Sequence, residues 1–593
     1  MPILRRSFWS PRPLLLALFA LMVNACGGGG SSSSGAAATP PPPDPPPQMD
    51  FGSLVVEQSA AKAQQSVGVT YGCDDLETDA LAVFTDITKN VGLCYETAIS
   101  PDDSTSSRVS GGVAVSDYNA DGRLDVYVTQ GRNSRGRLFS LQADSSFADV
   151  TQQAGINTGS VDNGAIFFDV NRDSLPDLVS VQESPTHLQI FGNNGDGTFS
   201  DITDTTGITL TKPSFSMAAG DYDLDGDLDL FVAHWQPYTT QDRWEFLWQN
   251  QGNGTFSDVS NIADIGRFPA DDTGEDLPEE KEYSFTPIFA DFNKDRYPDI
   301  LLASDFNSSQ VLVNNGGAGF VDMTPDLVDD RAGMGAAVAD YDNDGDLDWF
   351  VSAIGDTREE FLVIGLFNGN RLYQNDGAGN FSNVTDFAGV RQGYWAWGTC
   401  LADFDNDGDL DLFIVNGYDG LTQQQSDSRN YENFNETPAF LYVNNGDGTF
   451  TDRAAELGMT HTAMGRGLVC YDYDRDGDLD LLIANSGEAP SLYRNNSFAE
   501  GNNFLNIRLQ GGPDNPHVVG AQIYISVDGQ EQMRELQLGN NYISQDPVEA
   551  HFGLGVGELV DSVRIVWPGL ASAVSELKNV PANRFLVVHE PEP

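Results

Sequence analysis

Seven short acidic segments constrain the fold of this chain most strongly. Each has Asp at position 1, Asp or Asn at 3, Asp at 5 and Asp at 9, and the segments begin at residues 117, 169, 221, 291, 340, 403 and 472. Side chains crowded in this way repel one another, by about 4 kcal/mol for two charges 4 Å apart at an effective dielectric near 20. Seven copies, 49 to 70 residues apart, predict a repeat architecture such as a solenoid or a propeller.

The same spacing is typical of a loop that wraps calcium. Oxygen ligands at alternate positions, a glycine at the sixth, a backbone carbonyl at the seventh and a closing carboxylate suit this hard cation. We therefore predict up to seven calcium sites, and the crowding is tolerated because a divalent ion turns the repulsion into attraction. The predicted ligands are Asp117, Asn119, Asp121 and Asp125 (loop 1); Asp169, Asn171, Asp173 and Asp177 (loop 2); Asp221, Asp223, Asp225 and Asp229 (loop 3); Asp291, Asn293, Asp295 and Asp299 (loop 4); Asp340, Asp342, Asp344 and Asp348 (loop 5); Asp403, Asp405, Asp407 and Asp411 (loop 6); and Asp472, Asp474, Asp476 and Asp480 (loop 7).

Ordinary Asp-Gly turns are the alternative interpretation, and seven copies in one register argue against it. Loops 2 and 4 depart from the pattern, with Ser174 and Arg296 in place of glycine and Pro176 and Pro298 at position 8. A non-glycine residue in a left-handed conformation costs on the order of 1 kcal/mol. We expect these two sites to be weaker or differently shaped.

Strands surround the loops. Each loop runs into a short β-branched and aromatic segment such as LDLFV, as a strand does, whereas an EF-hand would have helices. Asn-Gly and Asp-Gly hairpins follow within twenty to thirty-five residues, at 193–203, 250–260, 314–324, 375–385 and 444–454. Each unit is thus predicted to be a four-stranded blade with the acidic loop and the glycine hairpin on one face.

The last unit lacks its fourth strand, and the missing pattern occurs before loop 1, as FTDITKNVGL at 84–93. We predict that this segment completes the last blade and closes a ring, which removes exposed sheet edges. The predicted fold is an all-β, seven-bladed propeller over residues 81–499. These repeats resemble the FG-GAP/VCBS repeats of integrin-type propellers.

A different pattern begins at about residue 500. Five segments, including AQIYISV and SVRIVWP, alternate apolar and polar residues, which predicts a small β-sandwich over 500–593. The motifs GAQI, NYISQD, HFGLG and VRIVWPG resemble the ASPIC/UnbV domain. The whole layout is similar to the cartilage acidic protein family, a resemblance that implies extracellular calcium binding and matrix or cell-surface association, with no settled chemistry.

The N-terminus predicts export. Arg5 and Arg6 precede the apolar run PLLLALFALMV, which is typical of a signal peptide over 1–25. The following VNAC resembles a bacterial lipobox, which implies lipidation of Cys26 and sorting to the outer membrane or cell surface of a Gram-negative bacterium; an ordinary signal peptide with a chance cysteine is the alternative. Residues 26–50 form a Gly/Ser/Pro-rich tether, and 51–80 an N-terminal extension.

Charge and cysteines narrow the function further. The chain has 88 acidic and 31 basic residues, a net charge of −57, which argues against nucleic acid as a partner, because its phosphates require a basic surface. Cys73 and Cys94 could form a disulfide in an oxidising compartment. Cys400 and Cys470 lie in apolar runs and are expected to be buried thiols.

The candidate ligand face is the one away from the acidic loops, because the connections of variable length fall there: 234–246, 261–284, 354–370 and 416–438. Trp235, Trp244, Trp248, Trp395 and Trp397 lie on or beside these connections, and Arg466 replaces a small or apolar residue. These residues could hold a sugar or peptide; packing of the tryptophans between blades is the alternative.

Three functions remain open. The favoured prediction is a membrane-tethered, calcium-stabilised module that binds a glycan or a protein and is not an enzyme. The second is an envelope enzyme acting on polysaccharide, although the sequence shows no GxSxG, HExxH, Walker or GxGxxG motif that would indicate one. The third is a structural matrix protein whose only partner is calcium.

Overall fold

The short apolar runs that follow the acidic loops form strands in the computed structural model. It describes residues 82–95, 108–129, 131, 135–157, 162–182, 188–210, 214–236, 245–261, 282–355, 368–418, 434, 436–497, 501–569 and 573–591. The predicted signal peptide, Cys26, the tether, the N-terminal extension, Cys73 and Trp244 lie outside these ranges, as does most of the four variable connections.

The strands form seven antiparallel four-stranded units in the described part of the chain. Unit 1 comprises β2 (Val113–Ser116), β3 (Asp125–Val128), β4 (Arg137–Leu141) and β5 (Phe147–Asp149). Unit 2 comprises β6 (Asp162–Phe168), β7 (Asp177–Gln182), β8 (Leu188–Asn193) and β9 (Phe199–Asp201). Unit 3 comprises β10 (Ser216–Gly220), β11 (Asp229–Ala233), β13 (Phe246–Asn250) and β14 (Phe256–Asp258). The short strand β12 (Trp235–Gln236) leaves unit 3 and pairs with the first strand of unit 4.

Units 4 to 7 repeat the pattern. Unit 4 comprises β15 (Glu282–Ala290), β16 (Asp299–Ser304), β17 (Gln310–Asn314) and β18 (Phe320–Asp322), and unit 5 comprises β19 (Gly333–Ala339), β20 (Asp348–Gly355), β21 (Arg371–Asn375) and β22 (Phe381–Asn383). Unit 6 comprises β23 (Tyr394–Ala402), β24 (Asp411–Asn416), β25 (Phe440–Asn444) and β26 (Phe450–Asp452). Unit 7 comprises β27 (Gly465–Tyr471), β28 (Asp480–Asn485), β29 (Ser491–Asn495) and β1 (Phe84–Asp86). In every unit the acidic loop joins the first strand to the second.

The N-terminal strand completes unit 7, as the sequence predicted. Phe84 pairs with Asn495 and Asp86 with Tyr493 in antiparallel register, although the strand is shorter than the predicted 84–93. The amide of Gly467, in the first strand of unit 7, donates to the carbonyl of Gly111 at the start of unit 1, at 2.8 Å. The last unit therefore contacts the first, and the chain is an all-β propeller.

An asparagine latch connects neighbouring units. The last residue of the third strand in five units donates its side-chain amide to the carbonyl at position 2 of the preceding unit's acidic loop. The pairs are Asn193 with Tyr118, Asn314 with Tyr222, Asn375 with Phe292, Asn444 with Tyr341 and Asn495 with Phe404, at 2.7 to 3.0 Å. Because this asparagine begins the glycine hairpin, the hairpins and the acidic loops share one face, as predicted.

Two single helical turns stand beside the strands, α1 (Thr203–Thr206) and α2 (Thr385–Ala388). Each follows an outer strand and ends at a left-handed glycine, Gly207 at φ 79° and Gly389 at φ 81°. None of the helices in the described ranges has the length and apolarity to cross a membrane.

The C-terminal module (residues 501–591) is a two-sheet β domain. One sheet has the order β33 (Ala550–Gly555), β30 (Asn503–Gln510), β36 (Arg584–His589), and the other β32 (Gln530–Glu535), β31 (Gln522–Val527), β34 (Leu559–Val566), β35 (Val574–Pro581). Their inward residues, among them Leu505, Ile523, Phe552 and Trp567, form one hydrophobic core. This agrees with the predicted sandwich.

Candidate metal centres and ligand face

All seven acidic loops share one backbone geometry. The position-1 carboxylate accepts hydrogen bonds from the amides of positions 5 and 6; in loop 5, Asp340 accepts from Asp344 at 3.0 Å and from Gly345 at 3.1 Å. The equivalent acceptors are Asp117, Asp169, Asp221, Asp291, Asp403 and Asp472. The carboxylate thus holds the loop in a tight turn around itself.

The two divergent loops keep this shape, so of the two expected differences the altered shape is wrong and the weaker binding stays a prediction. Ser174 and Arg296 adopt φ angles of 67° and 83°, in the left-handed region that glycine occupies in the other loops. The fourth position is left-handed as well, although it is never glycine; Arg172 and Lys294 are examples. The side-chain hydrogen bonds of position 1 hold the turn, so it persists without glycine.

The closing aspartate is buried at the base of each loop. In loop 5, Asp348 accepts from the amide of Asn375 at 2.8 Å and from that of Tyr341 at 3.3 Å. Burial raises the pKa of Asp348 to about 9 and that of Asp299 in loop 4 to about 9. A cation beside these carboxylates would favour their ionised form.

In the four loops with aspartate at position 3, one carboxylate oxygen of that aspartate is buried without a hydrogen-bond partner. Gln374 donates to Oδ2 of Asp342 at 2.6 Å, and Oδ1 of Asp342 is buried without a hydrogen-bond partner. Oδ1 is unpartnered in the same way in the other three loops with Asp at position 3, namely at Asp223, Asp405 and Asp474. A buried, unpaired carboxylate oxygen is costly, so a bound cation fits this position.

Four loops bring three carboxylates together, and they are the four with Asp at position 3. Ligand atoms lie within 4.8 Å of one another in the groups Asp221, Asp223, Asp225; Asp340, Asp342, Asp344; Asp403, Asp405, Asp407; and Asp472, Asp474, Asp480. In loops 1, 2 and 4 position 3 is Asn, and its Oδ1 accepts the position-5 amide at 2.9 to 3.1 Å. The carboxylate groups of loops 3, 5, 6 and 7 could each hold a metal ion.

The C-terminal module lies on the acidic-loop face of the propeller. His551 Nε2 is 2.7 Å from Asn406 Oδ1 in loop 6, and Arg475 in loop 7 pairs with Glu549 at 2.7 Å. A Cβ at Gly553 would lie 2.0 Å from Asp403 Oδ2, so only glycine allows this close approach. The HFGLG motif is therefore a contact surface for loop 6.

The NYISQD motif fills the propeller axis. Asn541, Tyr542 and Ile543 have φ angles of 62°, 86° and 42°, and the segment hydrogen-bonds to the first strands of several units. Gln545 exchanges backbone hydrogen bonds with Val113 and Val115, and the Tyr542 hydroxyl donates to the Val109 carbonyl at 2.6 Å. A Cβ at Gly112 would lie 1.9 Å from the Ile543 carbonyl oxygen. The small residues on the first strands thus make room for this segment, a role that the sequence analysis missed.

The predicted ligand-face residues divide into two groups. Trp397 and Arg466 are 1% and 0% exposed, with the guanidinium 4.4 Å from the indole centroid. Arg466 donates to the carbonyls of Arg108 and Gly417. These two residues are structural, which corrects the prediction that they contact a ligand; Trp248 is also buried, at 3%.

Trp235 and Trp395 are half-buried at the edge of an aromatic cluster. Trp235 stacks on Phe285 at 5.5 Å, and Trp395 stacks on Tyr418 at 4.2 Å. Tyr542 from the module joins the same cluster, 5.4 Å from Phe285. The packing alternative therefore applies in part, and these two tryptophans remain candidates for ligand contact.

Comparison with known families agrees with this architecture. The FG-GAP-like repeat family matches residues 117–180, 169–232, 291–351, 354–414 and 433–483, and the ASPIC and UnbV family matches residues 511–593. The chain belongs to the proteins that combine FG-GAP repeats with an ASPIC/UnbV domain.

Its curated relatives are cartilage acidic proteins. This FG-GAP and ASPIC/UnbV protein is 27% identical to cartilage acidic protein 1 of Mus musculus over 289 residues, 46% of this chain and 39% of the relative. It is 28% identical to cartilage acidic protein 1 of Homo sapiens over 276 residues, 44% and 37% of the two chains. The match thus spans about two-fifths of the length of these relatives.

Two solved structures show a limited similarity to this chain. BBS1N in complex with ARL6DN is 10% identical with a TM-score of 0.36, covering 72% of this chain and 98% of that chain. The BP39L lectin of Burkholderia pseudomallei is 10% identical with a TM-score of 0.38, covering 65% and 96%.

A disulfide corrects one expectation for this FG-GAP and ASPIC/UnbV protein. Cys400 and Cys470, predicted to be buried thiols, are bonded to each other with their Cα atoms 6.6 Å apart. They lie on β23 and β27, the first strands of neighbouring units, which the ring brings together. Cys94 is disulfide-bonded as well.

Proposed function

We propose that this protein is an exported, lipid-anchored and calcium-stabilised binding module whose ligand, a glycan or a protein, contacts the face opposite the acidic loops. One observation carries this proposal: the C-terminal module covers the acidic-loop face and its NYISQD segment fills the axis. The opposite face, with half-buried Trp235 and Trp395, is left for a partner. A repeat propeller with this module suits a binding or adhesion role.

Calcium stabilises the fold in this proposal. Loops 3, 5, 6 and 7 hold three clustered carboxylates each, with a buried oxygen free at position 3. An ion there would offset the repulsion and the desolvation of the closing aspartate. Loops 1, 2 and 4 could add up to three further, weaker sites, because their position-3 oxygen is already engaged.

Export and anchoring rest on the N-terminal sequence. The signal peptide, the lipobox cysteine Cys26 and the Gly/Ser/Pro-rich tether support attachment to the outer membrane or cell surface of a Gram-negative bacterium. The Cys400–Cys470 disulfide supports an oxidising compartment, since such bonds are rare in the reducing cytosol.

A ligand array in the presence of calcium tests the binding role. Glycans and matrix proteins are presented to the wild-type chain, to Trp235→Ala and Trp395→Ala, and to a Phe387→Ala control, whose side chain is 66% exposed on α2. We expect a wild-type ligand whose capture is lost in the two tryptophan variants and retained in the control. Unchanged capture by stable tryptophan variants would exclude this face, and turnover of a polysaccharide on the array would indicate the enzymatic alternative.

A further inference from the structure

A cavity of about 210 Å³ lies between the C-terminal module and acidic loops 3 and 4. The propeller contributes Leu224, Phe289 and Lys294 to its wall, and the module contributes Tyr524, Arg564 and Trp567. Ligand sites occur preferentially where two domains meet. The volume is below the roughly 300–1,000 Å³ of pockets for drug-sized ligands, so an occupant must be small.

The floor of this interdomain cavity is apolar. Phe289, Leu536, Val519 and Trp567 line it and are 6%, 3%, 4% and 1% exposed. The indole N–H of Trp567 donates to Ser575 at 2.9 Å, so the ring presents only its apolar surface. Burying the hydrocarbon part of a ligand against these side chains would be favourable, by about 25 cal/mol per Å².

The propeller and the module each contribute a basic side chain to the wall of the cavity. The side chains of Lys294 and Arg564 are 43% and 41% exposed, and the Arg564 guanidinium lies 3.6 Å from the ring centroid of Tyr524. Lys294 pairs with Asp346, and Arg564 is 4.0 Å from Glu531. Arg564 and Glu531 form an exposed pair, which contributes little, so Arg564 can turn to an anionic ligand at small cost, whereas Lys294 would leave Asp346, whose side chain is 15% exposed.

Two basic residues of loop 4 line this cavity, and one of them, Arg296, departs from the calcium template. Lys294 and Arg296 occupy positions 4 and 6 of loop 4, at φ 61° and 83°. Left-handed non-glycine residues cost on the order of 1 kcal/mol each and concentrate at functional sites. Arg296 in place of the position-6 glycine is a basic side chain that calcium binding does not call for, and it lines the cavity.

Acidic groups face the cavity too. Asp221 and Asp291 line it as position-1 ligands of loops 3 and 4, and Glu535 accepts hydrogen bonds from the Asp291 amide and from Gln522. Calcium in the two loops would offset the first two charges. The inference therefore rests on the calcium binding proposed above, and anion binding should require calcium.

We propose that the interdomain cavity binds a small carboxylic acid with a compact apolar body, such as an aromatic or short-chain acid. The carboxylate lies between Lys294 and Arg564, where a guanidinium and an ammonium both donate charge-assisted hydrogen bonds. The apolar body lies against Phe289 and Trp567.

Calorimetric titration of the full chain with benzoate and hexanoate, each against its neutral analogue benzyl alcohol or hexanol, tests this site. In saturating calcium we expect the acids to bind at least tenfold more tightly than the alcohols. Lys294→Gln and Arg564→Gln should each weaken the acids about tenfold, the effect of losing one charge-assisted hydrogen bond. Lys89→Gln, at an exposed position outside the cavity, should bind like the wild type.

The outcomes separate this site from the calcium proposal. If calcium raises the melting temperature and neither acid binds, the site is wrong and the calcium proposal stands. Equal affinity for acids and alcohols, or affinities unchanged in Lys294→Gln and Arg564→Gln, would also overturn the site. If the acids bind as tightly in chelator as in saturating calcium, the proposed calcium dependence of the site is wrong and the inference is overturned in this form, whereas the calcium proposal is judged separately by the change in melting temperature.

Discussion

The side-chain amide of Asn375 donates a 2.7 Å hydrogen bond to the main-chain carbonyl of Phe292, 83 residues earlier in the chain. The same amide donates at 3.1 Å to the carbonyl of Leu347 in its own unit. The Asn375 side chain thus hydrogen-bonds to the acidic loops of both unit 4 and unit 5. Equivalent asparagines occur in four other units, so the latch is part of the repeat and a source of ring stability.

Asn375→Ala should destabilise the protein by about 1–3 kcal/mol, because two buried carbonyls lose their donor. Chemical denaturation with calcium at a fixed concentration measures the loss. Asn380→Ala is the control, because the Asn380 side chain is exposed and bonds only within its own hairpin, to Asp376. Equal stability of the two variants would show that the latch contributes nothing.

Asp342→Asn should leave the calcium-free protein about as stable as the wild type and reduce its stabilisation by calcium. The substitution removes a charge from a crowded loop, which helps the empty loop, and it removes the anionic oxygen that is free for the ion. One site at a hundredfold excess over its Kd contributes about 2.7 kcal/mol. Melting curves with calcium and with chelator measure the difference.

Asp376→Asn is the control for that experiment, because Asp376 is an exposed hairpin residue outside the acidic loops. It should respond to calcium as the wild type does. A melting temperature that chelator does not change in the wild type would count against calcium stabilisation altogether.

Tyr542→Phe tests the contact of the module with the propeller axis. The phenol is fully buried and its hydroxyl bonds to the Val109 carbonyl, so losing the hydroxyl should cost about 0.5–1.5 kcal/mol. Tyr542→Ala should cost about 3–5 kcal/mol, since it leaves a cavity among Phe285, Trp397 and Ile543. Both variants should unfold in one transition; separate transitions for propeller and module would show that the two are energetically independent.

The sequence was sufficient for the repeat and insufficient for the docking of the module. Strands, loops and the closing segment were predictable because they depend on local patterns such as DYDNDGDLD and on alternation within a unit. NYISQD was recognisable as a motif, but nothing local indicates that Tyr542 reaches Val109, 433 residues away in sequence. A long-range contact that occurs once, and not in every repeat, leaves no periodic pattern in the sequence.

Two further errors have the same cause. Arg466 replaces a small or apolar residue and was therefore predicted to contact a ligand, yet backbone carbonyls and the Trp397 ring surround its guanidinium. The buried-thiol prediction for Cys400 and Cys470 is wrong because the ring makes their two strands, β23 and β27, neighbours. The latch asparagines were visible as the first letter of each hairpin, and only the structure supplies their partner carbonyls.

Replacing both Cys400 and Cys470 with Ser should lower stability by up to about 4 kcal/mol, the chain-entropy value for a loop of this length. The bridge spans 70 residues and restricts the unfolded chain. Thermal unfolding with and without reductant measures the effect. The double variant should melt at a lower temperature than the oxidised wild type. A reductant should lower its melting temperature by less than that of the wild type, because the variant has no Cys400–Cys470 bridge to reduce. A wild-type melting temperature in the variant would show that the bridge is dispensable.

Acid should destabilise the protein through His461. This imidazole is 3% exposed, its ring lies 5.9 Å from that of Tyr493, and burial lowers its pKa to about 4. Between the unfolded pKa of 6.5 and about 4 the unfolded state binds the proton more readily, so the stability present above pH 6.5 is lost as the pH falls through this window. The difference is on the order of 3 kcal/mol at 1.36 kcal/mol per pKa unit.

Comparing His461→Gln with the wild type isolates this residue from the many carboxylates that titrate nearby. The variant should be less stable at pH 7.5, because glutamine packs less well against Tyr493, and its stability should fall less steeply between pH 6.5 and 4. The slope difference is the decisive quantity, since loss of packing alone shifts the two curves in parallel. If the free energies of unfolding of the variant and the wild type, measured with denaturant, fall in parallel across this pH range, protonation of His461 does not destabilise the folded state.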